Sequence, residues 1–166
     1  MKVRRAEIQD ASMITQINVA TWKDAYKGLL DDSVLDARNV DEKRIAGWQD
    51  NIQNKDLIVL VCEDEEIMGY LAAGPARDDF GIENEIYAFY VKPSAQRKGV
   101  GTKLISEYKK IICHKSFYLF MLKNNHKAGH FYVKNGGRIC EKFNRDLKIG
   151  EHTISEACYV FFNIKR

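Results

Sequence analysis

Seven residues, QRKGVGT at positions 96–102, join an apolar segment to an amphipathic one and restrict the possible folds more than any other feature. Residues 85–91 before them are apolar on both faces, which predicts a central strand. Leu104, Ile105 and Tyr108 after them recur at helical spacing. A helix N-terminus carries unpaired N–H groups and the positive end of the helix dipole, and Gly99 and Gly101 allow close approach to the backbone. The junction therefore predicts an anion site suited to a pyrophosphate.

Two other phosphate-binding loops do not fit this segment. A P-loop requires the spacing G-x-x-x-x-G-K-[ST], which is absent here. A dinucleotide-binding fingerprint requires a third glycine at the position that Leu104 occupies. Neither nucleotide-binding motif accounts for the junction.

Hydrophobic periodicity predicts the other elements. Residues 57–62 and 67–73 form a hairpin with a four-residue loop, and Asp10 and Asp41 are positioned to cap two earlier helices. The order is strand, two helices, three strands, helix, strand, helix and two strands, which predicts a mixed α/β domain. Because a helix joins the strand at 85–91 to the next strand, these two should be parallel. The predicted strands are 3–7, 57–62, 67–73, 85–91, 117–122, 138–143 and 154–164, with the later helices at 101–112 and 125–135.

Length and composition suit one domain over residues 1–166. The chain is 45% hydrophobic and has a formal net charge of +3, which is well below that of a dedicated nucleic-acid-binding protein. The four cysteines lie in apolar stretches without C-x-x-C pairs, so we expect buried free thiols in a reducing cytosol. The start lacks the apolar core of a signal peptide and no run is long enough for a membrane helix, so we expect a cytoplasmic protein without a membrane partner.

Two motifs resemble those of the GCN5-related N-acetyltransferase (GNAT) family. Residues 96–101 fit [QR]-x-x-G-x-[GA], and residues 125–132, NHKAGHFY, fit N-x-x-A-x-x-F-Y. Residues 22–28 are similar to the first-helix region of bacterial members, and the order of elements agrees from Val3 to Ile164. The family usually has Gly-Phe after the second motif, whereas Gly137 follows Gly136 here. This departure affects local packing rather than chemistry.

The resemblance implies an α/β GNAT fold: a mixed, mostly antiparallel sheet with one splayed parallel strand pair, flanked by about four helices. It also implies acetyl-CoA as co-substrate and no metal. The pantetheine arm would pair with the backbone of Phe89 and Val91, the loop N–H groups would hold the pyrophosphate, and Asn125 would bond to pantetheine or nearby backbone. The implied cofactor-binding residues are Phe89, Tyr90, Val91, Gln96, Arg97, Lys98, Gly99, Val100, Gly101, Thr102, Asn125, Ala128 and Phe131.

The resemblance also indicates the catalytic residues. Glu85, six residues before Val91, is the candidate general base, acting through a water; a solvated strand end is the alternative, and Glu83 is a competitor. Tyr132 is the candidate general acid toward the CoA sulfur, and a core aromatic is the alternative. The backbone N–H of Phe89 or Tyr90 is a candidate oxyanion donor. Along the predicted strand, Glu85 shares its parity with Tyr87, Phe89 and Val91.

Trp22, Tyr26 and Tyr87 are candidates for the acceptor pocket, although each also fits a core position. His126 and His130 have the i, i+4 spacing of metal ligands, but without an evident third ligand a solvated helix face is favoured. The predicted function is acetyl transfer from acetyl-CoA to a primary amine of a small molecule or peptide, by direct attack in a ternary complex. A non-catalytic acyl-CoA-binding or sensing domain of the same fold is the alternative. An exposed apolar C-terminal strand suggests a possible homodimer.

Overall fold

A computed structural model describes residues 1–163, which form one eight-stranded sheet and five α-helices. Helices pack on both faces of the sheet, as expected for a mixed α/β domain. The strands are β1 (Lys2–Arg5), β2 (Ile58–Glu63), β3 (Ile67–Pro75), β4 (Asn84–Val91), β5 (Phe117–Leu122), β6 (Arg138–Ile139), β7 (Arg145–Ile149) and β8 (His152–Phe161). The helices are α1 (Ala11–Tyr26), α2 (Asp32–Asp36), α3 (Glu42–Gln53), α4 (Val100–Ile111) and α5 (His126–Lys134).

The sheet order is β1-β2-β3-β4-β5-β8-β6, and β7 also pairs with β8. All the pairs are antiparallel except β4 with β5, which are parallel. Helix α4 makes the crossover between these two strands. The predicted fold class and the predicted parallel pair are therefore confirmed.

Helix α4 packs on one face of the sheet through a stripe that the sequence pattern predicted. Leu104, Ile105 and Tyr108 are at most 1% exposed and contact the core that also contains Leu71 and Phe117. On the opposite face, α1 and α3 cover a second core around Tyr70. The site described below lies where β4 and β5 separate between these two layers.

Several boundaries differ from the predictions. The strand predicted at 138–143 is only the two-residue β6, followed by a 3₁₀ turn, and both β7 and the short helix α2 were missed. These elements are too short, or too mixed in polarity, for periodicity to show them. The predicted last strand ends at Phe161, and Ile164 lies outside the described residues. The hairpin loop between β2 and β3 has three residues rather than four, with an irregular register at Glu63.

Only one of the two predicted caps is formed by a side chain. Asp41 accepts a hydrogen bond from the N–H of Arg44 at 2.8 Å, as expected for an N-cap. Asp10 instead accepts from the Arg4 guanidinium at 2.7 Å and from the Glu7 N–H at 2.7 Å. Its carboxylate is drawn into an ion pair with β1 and gives α1 no side-chain cap.

Two expectations about exposure are wrong in part. Cys62 and Cys158 are buried free thiols, but Cys113 is exposed and Cys140 is half-buried. Strand β8 pairs with β5 on one edge and with β6 and β7 on the other, so it is not an exposed strand. An exposed C-terminal strand therefore no longer supports the homodimer, which stays a prediction. Within residues 1–163, no helix has both the length and the apolar character needed to cross a bilayer.

Candidate active site

The site is built around the separation of β4 from β5. The two strands pair over three positions, Asn84 with Phe117, Glu85 with Tyr118 and Ile86 with Leu119, and no further pair follows in the described chain. A bulge in β4 lies where this pairing ends, since Ala73 of β3 pairs with Ile86 and Ala72 with Ala88. The extra residue, Tyr87, bends the strand away from its neighbour. The splayed pair implied by the family resemblance is therefore present.

The free edge of β4 directs backbone groups of Phe89 and Val91 into this gap. The N–H of Lys92 donates to the Met68 carbonyl of β3 at 2.8 Å. In an antiparallel ladder, residues alternate between bonding to the partner strand and facing away from it. Tyr90 therefore bonds to β3, whereas the N–H and C=O groups of Phe89 and Val91 point toward β5. Of the two candidate oxyanion donors, only the Phe89 N–H faces the gap.

The same bulge corrects the parity predicted along the strand. Phe89 and Val91 pack with the core under α4, as does Ile86. Glu85 instead lies on the opposite face with Tyr118, so it does not share a face with Phe89 and Val91. One inserted residue reverses the alternation of side chains.

The loop before α4 has the backbone shape of an anion site. Arg97 and Gly99 have positive φ angles of 61° and 85° on either side of Lys98, and such alternation turns successive N–H groups inward. The first α4 hydrogen bond runs from the Lys103 N–H to the Gly99 carbonyl at 3.0 Å, so the preceding N–H groups of the helix have no helical partner. A Cβ atom on Gly99 would meet no atom within 4 Å. The loop therefore opens toward solvent, with exposed cationic side chains beside it.

Helix α5 closes one side of this region. The Asn125 side chain accepts from the Ala128 N–H at 3.2 Å, so its oxygen caps the helix and its amide N–H groups face outward. Phe131 lies 2.9 Å from where a Gly101 Cβ would stand, and its ring centroid is 5.7 Å from that of Phe89. Glycine at 101 therefore lets α4 and α5 meet beside the free edge of β4. The Gln96 side chain reaches the Val91 carbonyl at 3.3 Å.

Tyr132 follows Phe131 and packs among aromatic rings. Its ring centroid lies 6.2 Å from that of Phe89 and 5.6 Å from that of Tyr159. The residue is 7% exposed, and its hydroxyl bonds to no described residue. Burial raises the pKa of Tyr132, so the hydroxyl keeps its proton at neutral pH. The hydroxyl is thus available as a hydrogen-bond donor.

Glu85 is buried and already bound. Arg77 donates to both carboxylate oxygens, from Nη2 to Oε1 at 2.7 Å and from Nε to Oε2 at 3.1 Å, and its backbone N–H donates to Oε2 at 3.0 Å. The Tyr118 hydroxyl lies 3.2 Å from Oε2. Glu85 is 1% exposed, whereas the Arg77 side chain is 61% exposed. These contacts hold the carboxylate in place beside the last paired positions of β4 and β5.

The contacts of Glu85 continue into a polar network that the sequence did not predict. Tyr118 also lies 3.2 Å from Asp78 Oδ2, and Asp78 is 3.8 Å from Arg145 of β7. Arg145 donates from Nε to Glu156 of β8 at 2.9 Å and stacks over Phe120 at 3.6 Å. No local motif marks these residues, because they come from separate segments that only the sheet brings together.

The three candidate acceptor residues fall into two places. Trp22 and Tyr26 stack with ring centroids 4.6 Å apart, against a small apolar cluster that contains Leu35. Burial is the largest cause that raises the pKa of Tyr26 to about 12, and the nearby Glu156 carboxylate is the second largest. Tyr87 lies apart from this pair: its hydroxyl donates to the Pro75 carbonyl and its ring lies under the Arg77 guanidinium.

Neither helical histidine belongs to a metal site in the part of the chain that the structure describes. No group of three or more His, Cys, Asp or Glu side chains is arranged there to hold a metal ion. His126 and His130 line a shallow surface depression beside Asn125.

Comparison with known proteins defines the class. The profile of the Acetyltransferase (GNAT) family matches residues 19–137, and the chain belongs to this family. The uncharacterized N-acetyltransferase YuaI of Bacillus subtilis (strain 168) is 24% identical over 146 residues, which cover 84% of this chain and 82% of YuaI.

Solved structures have the same fold. The PaiA N-acetyltransferase from Thermoplasma acidophilum, in complex with coenzyme A, has a TM-score of 0.70 at 22% identity, over 93% of this chain and 96% of its own. YncA from Salmonella typhimurium, solved with acetyl-CoA, has a TM-score of 0.70 at 21% identity, over 100% of this chain and 95% of its own. NAA60 from Arabidopsis thaliana, solved with a bisubstrate analogue, has a TM-score of 0.74 at 16% identity, over 97% of each chain.

The loop geometry predicts the effect of Gly99→Ala. An L-residue at this positive φ costs about 1–2 kcal/mol of stability, and the new methyl group would occupy the open side of the loop. We expect affinity for coenzyme A, measured by calorimetric titration, to fall about 10- to 100-fold.

Gly81→Ala is the matched control. Gly81 lies in the β3–β4 loop with a φ of 72°, and a methyl group placed on it would likewise meet no atom within 4 Å. This variant should lose similar stability and keep wild-type affinity for coenzyme A. Equal affinities for the two variants would refute the assignment of the anion-binding loop.

Proposed function

We propose that this protein transfers an acetyl group from acetyl-CoA to a primary amine of a small molecule or peptide, with both substrates bound at once. The observation that carries the proposal is the free edge of β4, with Phe89 and Val91 facing the gap, directly beside the anion-binding loop. A pantetheine arm carries amide groups that pair with a free strand edge, and its pyrophosphate suits a helix N-terminus. One elongated ligand would thus engage both features.

The chain has the groups needed to hold acetyl-CoA. Backbone N–H groups of residues 98–102 would bind the pyrophosphate, with Arg97 and Lys98 adding positive charge, and the free amide of Asn125 would bind the arm. Structural neighbours solved with coenzyme A and acetyl-CoA support this choice of ligand. The ligand supplies a thioester, whose acetyl carbon is open to attack by an amine.

Two groups of the chain would then assist the reaction. The Phe89 N–H donates a hydrogen bond into the gap, where negative charge on the acetyl oxygen needs stabilisation. Tyr132 sits next to Phe89 and donates a hydrogen bond to the departing sulfur. Burial holds the pKa of Tyr132 above the ~8.5 of an ordinary thiol. A hydrogen bond from the Tyr132 hydroxyl to the sulfur is therefore favoured over complete transfer of its proton.

Glu85 stays a prediction as the general base, and its contacts support a second role. Its carboxylate accepts from Arg77 and Tyr118 at the end of the β4–β5 pairing, so it stabilises the point where the strands separate. Deprotonation of the amine by Glu85 through a water requires the exposed Arg77 side chain to move away from the carboxylate. Enclosure of Glu85 also favours the alternative of a non-catalytic acyl-CoA-binding or sensing domain, so activity must be measured directly.

Calorimetric titration with acetyl-CoA, followed by a thiol-release assay over a panel of amines, tests the proposed function. We expect one acetyl-CoA site and thiol release that depends on the amine. Binding without release for every amine would favour the sensing domain. Absence of binding would refute both, since each depends on the loop and the free strand edge.

Tyr132→Phe tests the sulfur contact. The change keeps the ring packing and removes only the hydroxyl, so we expect kcat to fall about 10- to 100-fold while the KM for acetyl-CoA stays unchanged. Tyr108→Phe is the control, because the Tyr108 hydroxyl is buried without a hydrogen-bond partner among the described residues. If both variants keep wild-type kcat, Tyr132 is a packing residue.

Glu85→Gln separates the two roles of Glu85. A lost general base should lower kcat/KM by about 10²- to 10⁴-fold, most strongly at low pH, where the amine is most protonated. Glu83→Gln is the control, because the Glu83 side chain is 81% exposed and pairs only loosely with Lys115 at 3.6 Å. A pH–rate profile of unchanged shape, with lower stability toward urea, would instead identify Glu85 as a structural clamp.

A further inference from the structure

A cavity of about 440 Å³ that opens widely to solvent lies between α1 and α3, outside the acetyl-transfer site described above. This volume lies in the range of small-molecule sites. Two guanidinium groups line it, Arg38 after α2 and Arg44 on α3. The other lining groups used below are Asn18, Trp48, Asp50 and Asn51.

Both arginines have an unused donor. The Nε atoms of Arg38 and Arg44 are buried and form no hydrogen bond with any residue in the described range 1–163. The nearest carboxylate oxygen to Arg44 Nε is that of Asp41, at 4.0 Å, which is beyond hydrogen-bond distance. A buried donor without a partner costs free energy, so the protein compensates neither guanidinium fully.

Arg38 is fixed in place before any ligand arrives. Its Nη2 donates to Asn18 Oδ1 at 3.0 Å, and its guanidinium lies 4.4 Å from the Trp22 ring centroid. Burial, and next the like charge of Arg44, lowers the pKa of Arg38. The lining holds two arginines and one carboxylate, Asp50 at the exposed rim, so it keeps one positive charge; Asp41, outside the lining, lies 4.0 Å from Arg44 Nε.

A chain of contacts connects this cavity to the separated end of β4. Asn18 donates to the Tyr70 hydroxyl at 2.8 Å, and the Tyr70 ring lies 5.8 Å from that of Tyr90. Tyr90 adjoins Phe89, whose N–H faces the gap. Arg38 is also close enough to Tyr90 and Tyr26 to act on both electrostatically.

We propose that this cavity binds an anionic group of the acceptor, so that the enzyme prefers small amines that also carry a carboxylate or a phosphate. The Nη atoms of Arg38 and Arg44 would bind the anion, because the Nε atoms are enclosed by protein, with amide donors from Asn18 and Asn51 at hand. The amine at the other end of the molecule then extends toward Phe89. This inference rests on the proposed function and narrows its acceptor.

The test uses paired amines in which one member carries the anion and the other lacks it: an amino acid and its amide, and an aminoalkyl phosphate and its alcohol. We expect wild-type kcat/KM to favour the anionic member of a pair by about tenfold or more. In Arg38→Gln the KM for the anionic amine should rise about tenfold, with the neutral amine and acetyl-CoA affinity unchanged. Arg138→Gln, at an exposed position on β6, is the control. The two pairs show whether carboxylate or phosphate is the ligand.

A direct measurement does not depend on turnover. Calorimetric titration with inorganic phosphate is compared in wild type, Arg38→Gln and Gly99→Ala, with Arg44→Gln as a second cavity variant if Arg38→Gln does not fold. Heat that disappears in an arginine variant but persists in Gly99→Ala places the anion in the cavity. Heat that disappears only in Gly99→Ala, or equal kcat/KM for charged and neutral amines, overturns the inference. A wild-type protein that neither binds acetyl-CoA nor acetylates any amine would instead refute the proposed function.

Discussion

The interaction between β4 and β5 determines the site, because the pairing of these two parallel strands stops after three positions. The bulge at Tyr87 bends β4 away, and Glu85, Arg77 and Tyr118 stabilise the last paired positions. A longer ladder would satisfy the backbone of Phe89 and Val91 within the sheet and leave nothing for a ligand. A strand with an open edge inside a sheet is normally a liability. Here the opening is shielded by α4 and α5, whose contact depends on Gly101 and Phe131.

The anion-binding loop adds the second half of the site by a different physical means. The anion recognition that we propose for this loop would use backbone N–H groups and the helix dipole rather than one dedicated side chain. On this proposal, the positive φ angles at Arg97 and Gly99 matter more than the identity of the exposed side chains. The loop and the strand edge are adjacent because only a few residues separate Val91 from α4. One ligand can therefore span both without any rearrangement of the fold.

Charge on the other face of the sheet is organised separately. The network that runs from β4 through β5 to β7 and β8 holds three carboxylates, Glu85, Asp78 and Glu156, and two arginines, Arg77 and Arg145. Under α1 and α3 positive charge is in excess, since Arg38 and Arg44 line a cavity. Their buried Nε atoms have no hydrogen-bond partner within residues 1–163. Tyr26 and Tyr90 lie between these regions and are influenced by both. An acceptor with an amine at one end and an anion at the other matches this arrangement of charges.

The loop, the α4 stripe and the order of elements from β2 to α5 could be predicted from the sequence, because each depends on residues within one or two turns or strands of one another. The sequence also placed Asn125, Phe131 and Tyr132 together, since one helix carries all three. Tertiary packing sets which way Glu85 faces, because one bulge residue reverses the alternation that a regular strand predicts. It also decided the partners of Glu85, since Tyr118 is 33 positions away. The orientation of Arg38 toward a cavity under α3 likewise depends on packing between separate helices, which no local pattern records.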